Sequence, residues 1–266
     1  MTIRVCVAGA TGWAGSSLTK AIIAAEDMEL VGAVSRSYGG RPLSEALNMP
    51  GIDLIVRGTV REALQAQPDV FVEYTKPDVA LDNVLQALDA GSRVVIGTSG
   101  LSDSDYAHIA KEAEARGLGV LAVGNFALTV VLLLKFAEMA AKHIPHWEIV
   151  DYAHAAKVDA PSGTARELSY RLGRVRESAL DVSIEDVQGS REARGARLNG
   201  SQVHAIRLPG YVISAEVIFG MEDQKLILRH ESGSSSEPYV DGAMLAIRKV
   251  STFSGLRRGL DTVMGF

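Results

Sequence analysis

Ile3-Arg4-Val5-Cys6-Val7-Ala8-Gly9-Ala10-Thr11-Gly12-Trp13-Ala14-Gly15 is the stretch whose reading decides the fold. Ile3 to Ala8 is a run of small and β-branched residues, the pattern of a buried strand. The glycines at 9, 12 and 15 follow at once. Behind them Leu18, Ile22 and Ile23 recur at helical spacing, and Leu30 to Val34 reads as a second strand. This is a β-α-β unit with a glycine-rich first turn. Such a turn lets the backbone approach a pyrophosphate, which rests on the helix N-terminus. Gly9, Thr11, Gly12, Trp13, Ala14 and Gly15 are therefore expected to touch a dinucleotide.

At the tip of the second strand stands Ser35-Arg36-Ser37. An NAD-binding unit usually carries a carboxylate here for the ribose 2′-hydroxyl. An arginine among small hydroxyls suits a 2′-phosphate instead, so NADPH is the expected cofactor, with NADH possible. Further strands are expected at 69–73, 93–96 and 120–123, with helices at 78–90 and 103–116 between them. Pro77 suits a first helical turn, and Gly91 and Gly117 suit helix ends. The alternation predicts a doubly wound parallel sheet. Ligands in such sheets sit at the carboxyl ends of the strands, which directs Tyr74-Thr75-Lys76-Pro77 and Gly97-Thr98-Ser99-Gly100 to the cofactor. Glu73 and Asp78 flank the first of these loops, and nothing in the sequence fixes their separation or gives them an acid–base role.

After Gly124-Asn125-Phe126 the character changes. A long apolar helix is expected over 127–143, a strand over 147–153 and a helix to about Arg174. The stretch 176–200 is polar and reads as a mobile loop. Residues 202–207, 212–219 and 225–231 alternate like antiparallel strands, and 237–250 reads as a helix. The expected organisation is a dinucleotide domain at 1–126, a second α+β domain with an open mixed sheet at 127–238, and a C-terminal helix at 239–266 returning to the first domain. The apolar residues Val212, Ile213, Val217, Ile218 and Phe219 on an open sheet call for cover, which a homo-oligomer supplies.

Composition excludes several classes. The 266 residues are 47% apolar and 22% charged, with a net charge of −5, so a broad electrostatic hold on nucleic acid is not expected. The one cysteine, Cys6, allows no intrachain disulfide and no thiolate metal cluster, and it reads as a buried strand residue. The histidines share no metal-ligand spacing with carboxylates, so no metal is expected. Arg4 interrupts any apolar signal core, and the longest mainly apolar run, 127–134, is too short to cross a bilayer. The expected location is the cytoplasm, without membrane attachment.

One further stretch carries chemistry: Lys157-Val158-Asp159-Ala160-Pro161-Ser162-Gly163-Thr164-Ala165. A proline-set turn opens a helix on small residues whose first N–H groups are expected to be uncovered, a seat for a carboxylate or phosphate. Lys157 stands just upstream, in reach of the same anion. A plain proline-initiated helix with a solvated lysine accounts for these residues equally well.

Taken with Gly9-x-x-Gly12-x-x-Gly15, Gly97-Thr98-Ser99-Gly100, Asn125-Phe126, Val203-His204-Ala205-Ile206-Arg207-Leu208 and Leu228-Arg229-His230-Glu231-Ser232, this stretch resembles the dihydrodipicolinate reductase family over nearly the whole chain. The resemblance implies an α/β protein with a Rossmann-type domain, a substrate domain that builds a shared sheet in a homotetramer, and the NAD(P)H-dependent reduction of a cyclic imine dicarboxylate of the lysine and diaminopimelate pathway. It implies Lys157 as proton donor. It implies a substrate seat of His154, Ser162, Gly163 and Thr164. Thr98, Gly100 and Asn125 are then expected to line the nicotinamide side of the cleft, with Thr75, Gly97 and Phe126 also at the cofactor and Ser35 and Arg36 at the ribose.

The chain also departs from the family. The family's paired histidines fall at Ala153 and His154, and a frequent third falls at Ala156. Trp13-Ala14 stands where the family has Arg-Met, Thr129 where it prefers glycine, and a Gly-x-His often found in the family is absent from Tyr211 to Glu216. Two alternatives follow: an imine reductase for a different substrate, and a non-catalytic NADP-binding paralogue. Retention of Lys157 with the whole Ser-Gly-Thr turn speaks against the second.

Overall fold

The computed structural model describes residues 2–266. By compactness the chain forms two units: the chain through Leu128 together with Ser236–Phe266, and Thr129–Ser235.

The first unit opens with β1 (Ile3–Ala8), α1 (Trp13–Ala24) and β2 (Met28–Val34), followed by two short helices, α2 (Leu43–Leu47) and α3 (Val60–Leu64). Then come β3 (Val70–Glu73), α4 (Pro77–Asp89), β4 (Arg93–Ile96), α5 (Asp103–Arg116) and β5 (Gly119–Ala122). Local chemistry sets the helix limits. Pro77 occupies the first turn of α4. Ser102 and Asp105 form a reciprocal capping box at the start of α5, and Gly117 ends it in the left-handed region at φ 65°. Phe71, Val84, Leu88, Val94, Ile96 and Ile109 pack in the core beside the sheet. Cys6 is buried there as well, and burial pushes its thiol up to about 12, the behaviour of a packing residue.

The end of the chain corrects one expectation. No single helix runs over 239–266. Helix α8 (Val240–Lys249) stops, and a strand at Gly255–Arg258 pairs in parallel with β5. That last strand in the chain is β11, and the sheet runs β11-β5-β4-β3-β1-β2 with every pair parallel. Gly255 and Gly259 adopt positive φ at its two ends, so the strand is too short and too closely punctuated to show as a period.

The second unit comprises α6 (Leu128–Ala141, from Thr129 on), β6 (His146–Ala153), α7 (Gly163–Val175), β7 (Ala196–Leu198), β8 (Ser201–Arg207), β9 (Ile213–Met221) and β10 (Gln224–Ser232). Its sheet runs β10-β9-β6-β8-β7 and is mixed. This is the open mixed sheet expected from the sequence, with one difference: 202–207 alternates like an antiparallel strand and runs parallel to its inner neighbour. β8 lies parallel to β6, because α7 and the long segment after it form a crossover that returns the chain in the same direction. β9 then pairs antiparallel with β6, and β10 with β9.

The polar stretch 176–200 is also more structured than a mobile loop. It carries 3-10 turns at Ile184–Asp186 and Arg191–Arg194, and then β7. Ser178 exchanges hydrogen bonds with the Trp147 backbone, and Arg194 pairs with Glu148 at 2.5 Å.

Candidate active site

The carboxyl ends of β1, β3, β4 and β5 surround a cavity of about 310 Å³ in the first unit. Its floor is the start of α1. Gly12 is the N-cap residue, and no side chain caps the helix. The first amides of α1 therefore keep the anion-binding character of a bare helix N-terminus. The glycines make this geometry possible. A Cβ on Gly15 would lie 2.0 Å from the Gly9 carbonyl oxygen, and one on Gly9 would lie 2.3 Å from that of Tyr74. Any side chain at either place would push the turn off the helix. That is a fit for a pyrophosphate approached by backbone.

Gly12, Trp13, Ala14 and Gly15 line the cavity, as do Thr75, Gly97 and Thr98 from the next loops and Asn125 and Phe126 after β5. Gly9, Thr11, Ser35, Arg36 and Gly100 do not line it. Gly9 acts through the turn. Thr11 and Ser35 are joined hydroxyl to hydroxyl at 2.7 Å, and Ser35 reaches Ser37 at 3.3 Å, which ties the glycine turn to the tip of β2. Arg36 is exposed at that tip. Gly100 adopts φ +96°, with Pro77 closing on the space a Cβ would need.

One lining residue, Tyr239, had no sequence signal. Tyr239 comes from the segment entering α8 and meets Trp13 edge-on at 5.8 Å between ring centroids. Trp13 is 62% exposed, so a large aromatic surface stands at the mouth of the cavity. Tyr74 packs edge-on against Phe126 at 5.6 Å, and both rings crowd Gly97, where a Cβ would fall 2.0 Å from the Tyr74 ring. Burial pushes the Tyr74 phenol up, so it stays neutral.

Behind this wall lies Glu73, the last residue of β3 and fully buried. Its carboxylate accepts from the Thr75 N–H at 2.7 Å, from the Thr75 hydroxyl, from Asn83 Nδ2 at 2.9 Å and from the Thr98 hydroxyl at 3.3 Å. Burial raises its pKa above the ordinary carboxylate range, and these donors pull in the opposite direction. A carboxylate closing an otherwise apolar four-residue strand is the one signal that the sequence offered.

The second unit carries the lysine stretch. Lys157 Nζ pairs with Asp159 at 2.7 Å, and this hydrogen bond holds the Asp159 carboxyl below its ordinary value. Ser162 is the N-cap of α7, and its hydroxyl accepts from the Ala165 N–H at 3.3 Å. Its own N–H donates to Asp151 Oδ2 at 2.7 Å, and Ser162 is only 1% exposed. The expectation that the Ser162 backbone N–H stays uncovered therefore needs correction: it is spent on Asp151 within the protein. Gly163 is exposed and Thr164 partly so, and they form the accessible start of the helix. His154 is exposed, while Ala153 is fully buried.

Asp151 and Arg207 hold this loop from below. Asp151 is buried on β6, and Arg207 Nη2 donates to its Oδ2 at 2.7 Å and to the Asp159 carbonyl at 2.8 Å. One guanidinium thus clamps both ends of the turn between Lys157 and Ser162. Neither residue stood out in the sequence, because β6 and β8 become neighbours only when the crossover folds. The buried face of β6, made of Trp147, Ile149, Asp151 and Ala153, is otherwise apolar.

Among the described residues no group of three or more His, Cys, Asp or Glu is placed to hold a metal ion, and no helix is long and apolar enough to cross a membrane.

Residues 3–126 match the family model for the N-terminus of dihydrodipicolinate reductase, and residues 129–264 match the model for its C-terminus. The 4-hydroxy-tetrahydrodipicolinate reductase of Desulfitobacterium hafniense (strain DSM 10664 / DCB-2) is 36% identical over 264 residues, covering 98% of each chain. That of Listeria monocytogenes serotype 4b (strain F2365) is 34% identical over 98% of this chain and 100% of its own. Among solved structures, a dipicolinate-bound dihydrodipicolinate reductase from Paenisporosarcina sp. TG-14 superposes with a TM-score of 0.89 at 32% identity, over 99% of this chain and 100% of that one. An amine dehydrogenase from Mycobacterium smegmatis shares the fold at 15% identity, with a TM-score of 0.67 over 97% of this chain and 95% of its own.

Proposed function

We propose, from the premise that the chain belongs to the dihydrodipicolinate reductase family, that it reduces 4-hydroxy-tetrahydrodipicolinate or a close cyclic imine dicarboxylate, using NADPH ahead of NADH. The observation that carries this reading is the intact folded loop from Lys157 to Ala165. It keeps an ammonium group beside the accessible first turn of α7. A pure binder of dinucleotide has no use for that arrangement, and a dicarboxylate substrate has two.

When bound, the reduced nicotinamide supplies the hydride. The chain's own residues do the rest. The bare start of α1 and the glycines of the first turn hold the pyrophosphate, and Thr75, Gly97, Thr98, Asn125 and Phe126 hold the nicotinamide end. Gly163 and Thr164 donate to one substrate carboxylate through the start of α7, with His154 beside them. Once the 4-hydroxyl has left as water, Lys157 gives the proton that balances the hydride, so the conjugated ring gains two electrons and two hydrogens in all. Ser162 acts from behind, as the cap that fixes the helix start. With alanine at 153, proton delivery rests on Lys157 and on water. The reading as a reductase of a different imine and the reading as a non-catalytic paralogue gain no support from the comparisons.

Arg36, exposed at the tip of β2 beside two hydroxyls, supports the NADPH preference. Of the apolar residues expected to need cover, Val217 and Phe219 are buried within the chain itself; exposed Val212, Met221, Leu226 and Ile227 support a homotetramer closed over this sheet.

The test is cofactor oxidation in the presence of enzymatically generated 4-hydroxy-tetrahydrodipicolinate. Turnover is expected, with kcat lowered about 10²- to 10⁴-fold by Lys157→Ala at unchanged NADPH affinity. Turnover confined to other cyclic imino acids would overturn the substrate, and NADPH binding without any turnover would overturn the enzyme. Arg36→Ala is expected to weaken NADPH far more than NADH. Equal weakening would remove the 2′-phosphate assignment.

A further inference from the structure

The hydrogen-bond directions around Glu73 leave little freedom. Asn83 Nδ2 is an obligate donor, and it points both at Glu73 Oε2 and, at 3.3 Å, at the Thr75 hydroxyl oxygen. The Thr75 hydroxyl thus accepts from Asn83 and must spend its one proton elsewhere, which it does on Glu73 Oε1. The Thr98 hydroxyl faces the Glu73 backbone carbonyl at 3.2 Å and Glu73 Oε1 at 3.3 Å. Neither acceptor carries a proton to give, so Thr98 also donates inward. Both threonines line the cavity, and both have only lone pairs left to offer it.

A buried carboxylate with no cation against it persists only when its lone pairs are filled, and here four donors from three places in the chain fill them. The outcome is a wall whose polarity is fixed before any ligand arrives.

We propose that Glu73 is a positioning residue that makes Thr75 and Thr98 acceptor-only, so that this wall selects a ligand group that donates hydrogen bonds, the carboxamide NH₂ of the nicotinamide, and rejects the corresponding acid. The proposal rests on the reading of this cavity as the nicotinamide end of the cofactor site. It adds a residue that touches the cofactor only through two others. A carboxylate in place of the carboxamide would bring lone pairs against lone pairs and leave both sides unsatisfied.

The experiment compares dissociation constants, by titration calorimetry, for NADPH and for reduced nicotinic acid adenine dinucleotide phosphate, which differ only in that group. The wild-type chain is expected to bind the amide form at least about tenfold more tightly, the size of one lost hydrogen bond with an unsatisfied partner. In Glu73→Gln the side-chain amide can donate as well as accept, the threonines are released to turn, and the ratio is expected to collapse toward one. Thr98→Val and Thr75→Val leave the charge of Glu73 in place and are each expected to shrink the ratio, which separates polarity from charge repulsion. A role confined to stability would lower the melting temperature and leave the ratio alone. Equal binding of the two cofactors by the wild type, or a ratio untouched in Glu73→Gln, overturns the proposal. Failure of NADPH itself to bind would instead overturn the reading of the cavity.

Discussion

Helix α1 and helix α7 both open on small residues beside a site for an anion, and they dispose of their first amides differently. At α1 no side chain caps the start, and the two glycines flanking Gly12 exist to let backbone lie on backbone. At α7 the start is capped by Ser162, whose own N–H is taken by a buried carboxylate, and the nearby ammonium of Lys157 is already paired. The cofactor helix is thus prepared by removing side chains. The other is prepared by satisfying them, with Asp151 and Arg207 as a scaffold beneath the loop. Binding at α1 is sensitive to added volume. Binding at α7 is sensitive to a buried ion pair that the ligand itself does not need to reach.

The sharpest way to break this contrast is Arg207→Leu. It leaves the fully buried Asp151 without its cation, and the expected loss is about 3–5 kcal/mol in denaturant unfolding. The double substitution Asp151→Leu/Arg207→Leu is expected to regain much of that stability, since an apolar pair of similar volume often replaces a buried ion pair at little cost. Substrate KM is expected to stay raised in both variants, because each lacks the Arg207 hold on the Asp159 carbonyl and the double variant has also removed the acceptor of the Ser162 N–H. If stability and KM return together, the pair has no part in shaping the turn.

A smaller effect is expected on the other side. In Gly15→Ala the new methyl meets the Gly9 carbonyl oxygen at 2.0 Å, and backbone must move. Overpacking of this kind costs about 1–3 kcal/mol. NADPH affinity is expected to fall while kcat at saturating cofactor holds. A normal NADPH dissociation constant in a folded Gly15→Ala protein would show that the closeness of turn and helix is not what the cofactor uses.

How much of this could be read from the chain follows the same division. The glycine turn, Pro77, Gly117 and the Lys157–Ala165 stretch act through neighbours a few residues away, so their spacing announces them. Glu73 gathers partners 10 and 25 residues on, and Asp151 meets Arg207 56 residues on. These contacts exist only after strands have been ordered in the sheet. β11 fails for a related reason: four residues, two of them arginine, become a strand because β5 offers an unpaired edge. Tyr239 joins the cavity through the return of the chain to the first unit, which no local pattern encodes.

The smallest expected effect concerns the pair that holds the lysine in waiting. The Asp159 carboxyl is held below its ordinary value, first by the hydrogen bond from Lys157. A depressed carboxylate pKa contributes stability above the pKa of the unfolded chain, and that contribution disappears as pH falls through the folded value. Melting temperatures of the wild type and Asp159→Asn are therefore expected to differ slightly at neutral pH and to converge at acid pH, below the usual carboxylate range. The pair is partly exposed to solvent, so added salt should also narrow the gap. A gap that persists at the acid end would mean that Asp159 acts through its shape in the turn. The readiness of Lys157 would then come from the Arg207 clamp on the Asp159 carbonyl, which Asp159→Asn leaves in place.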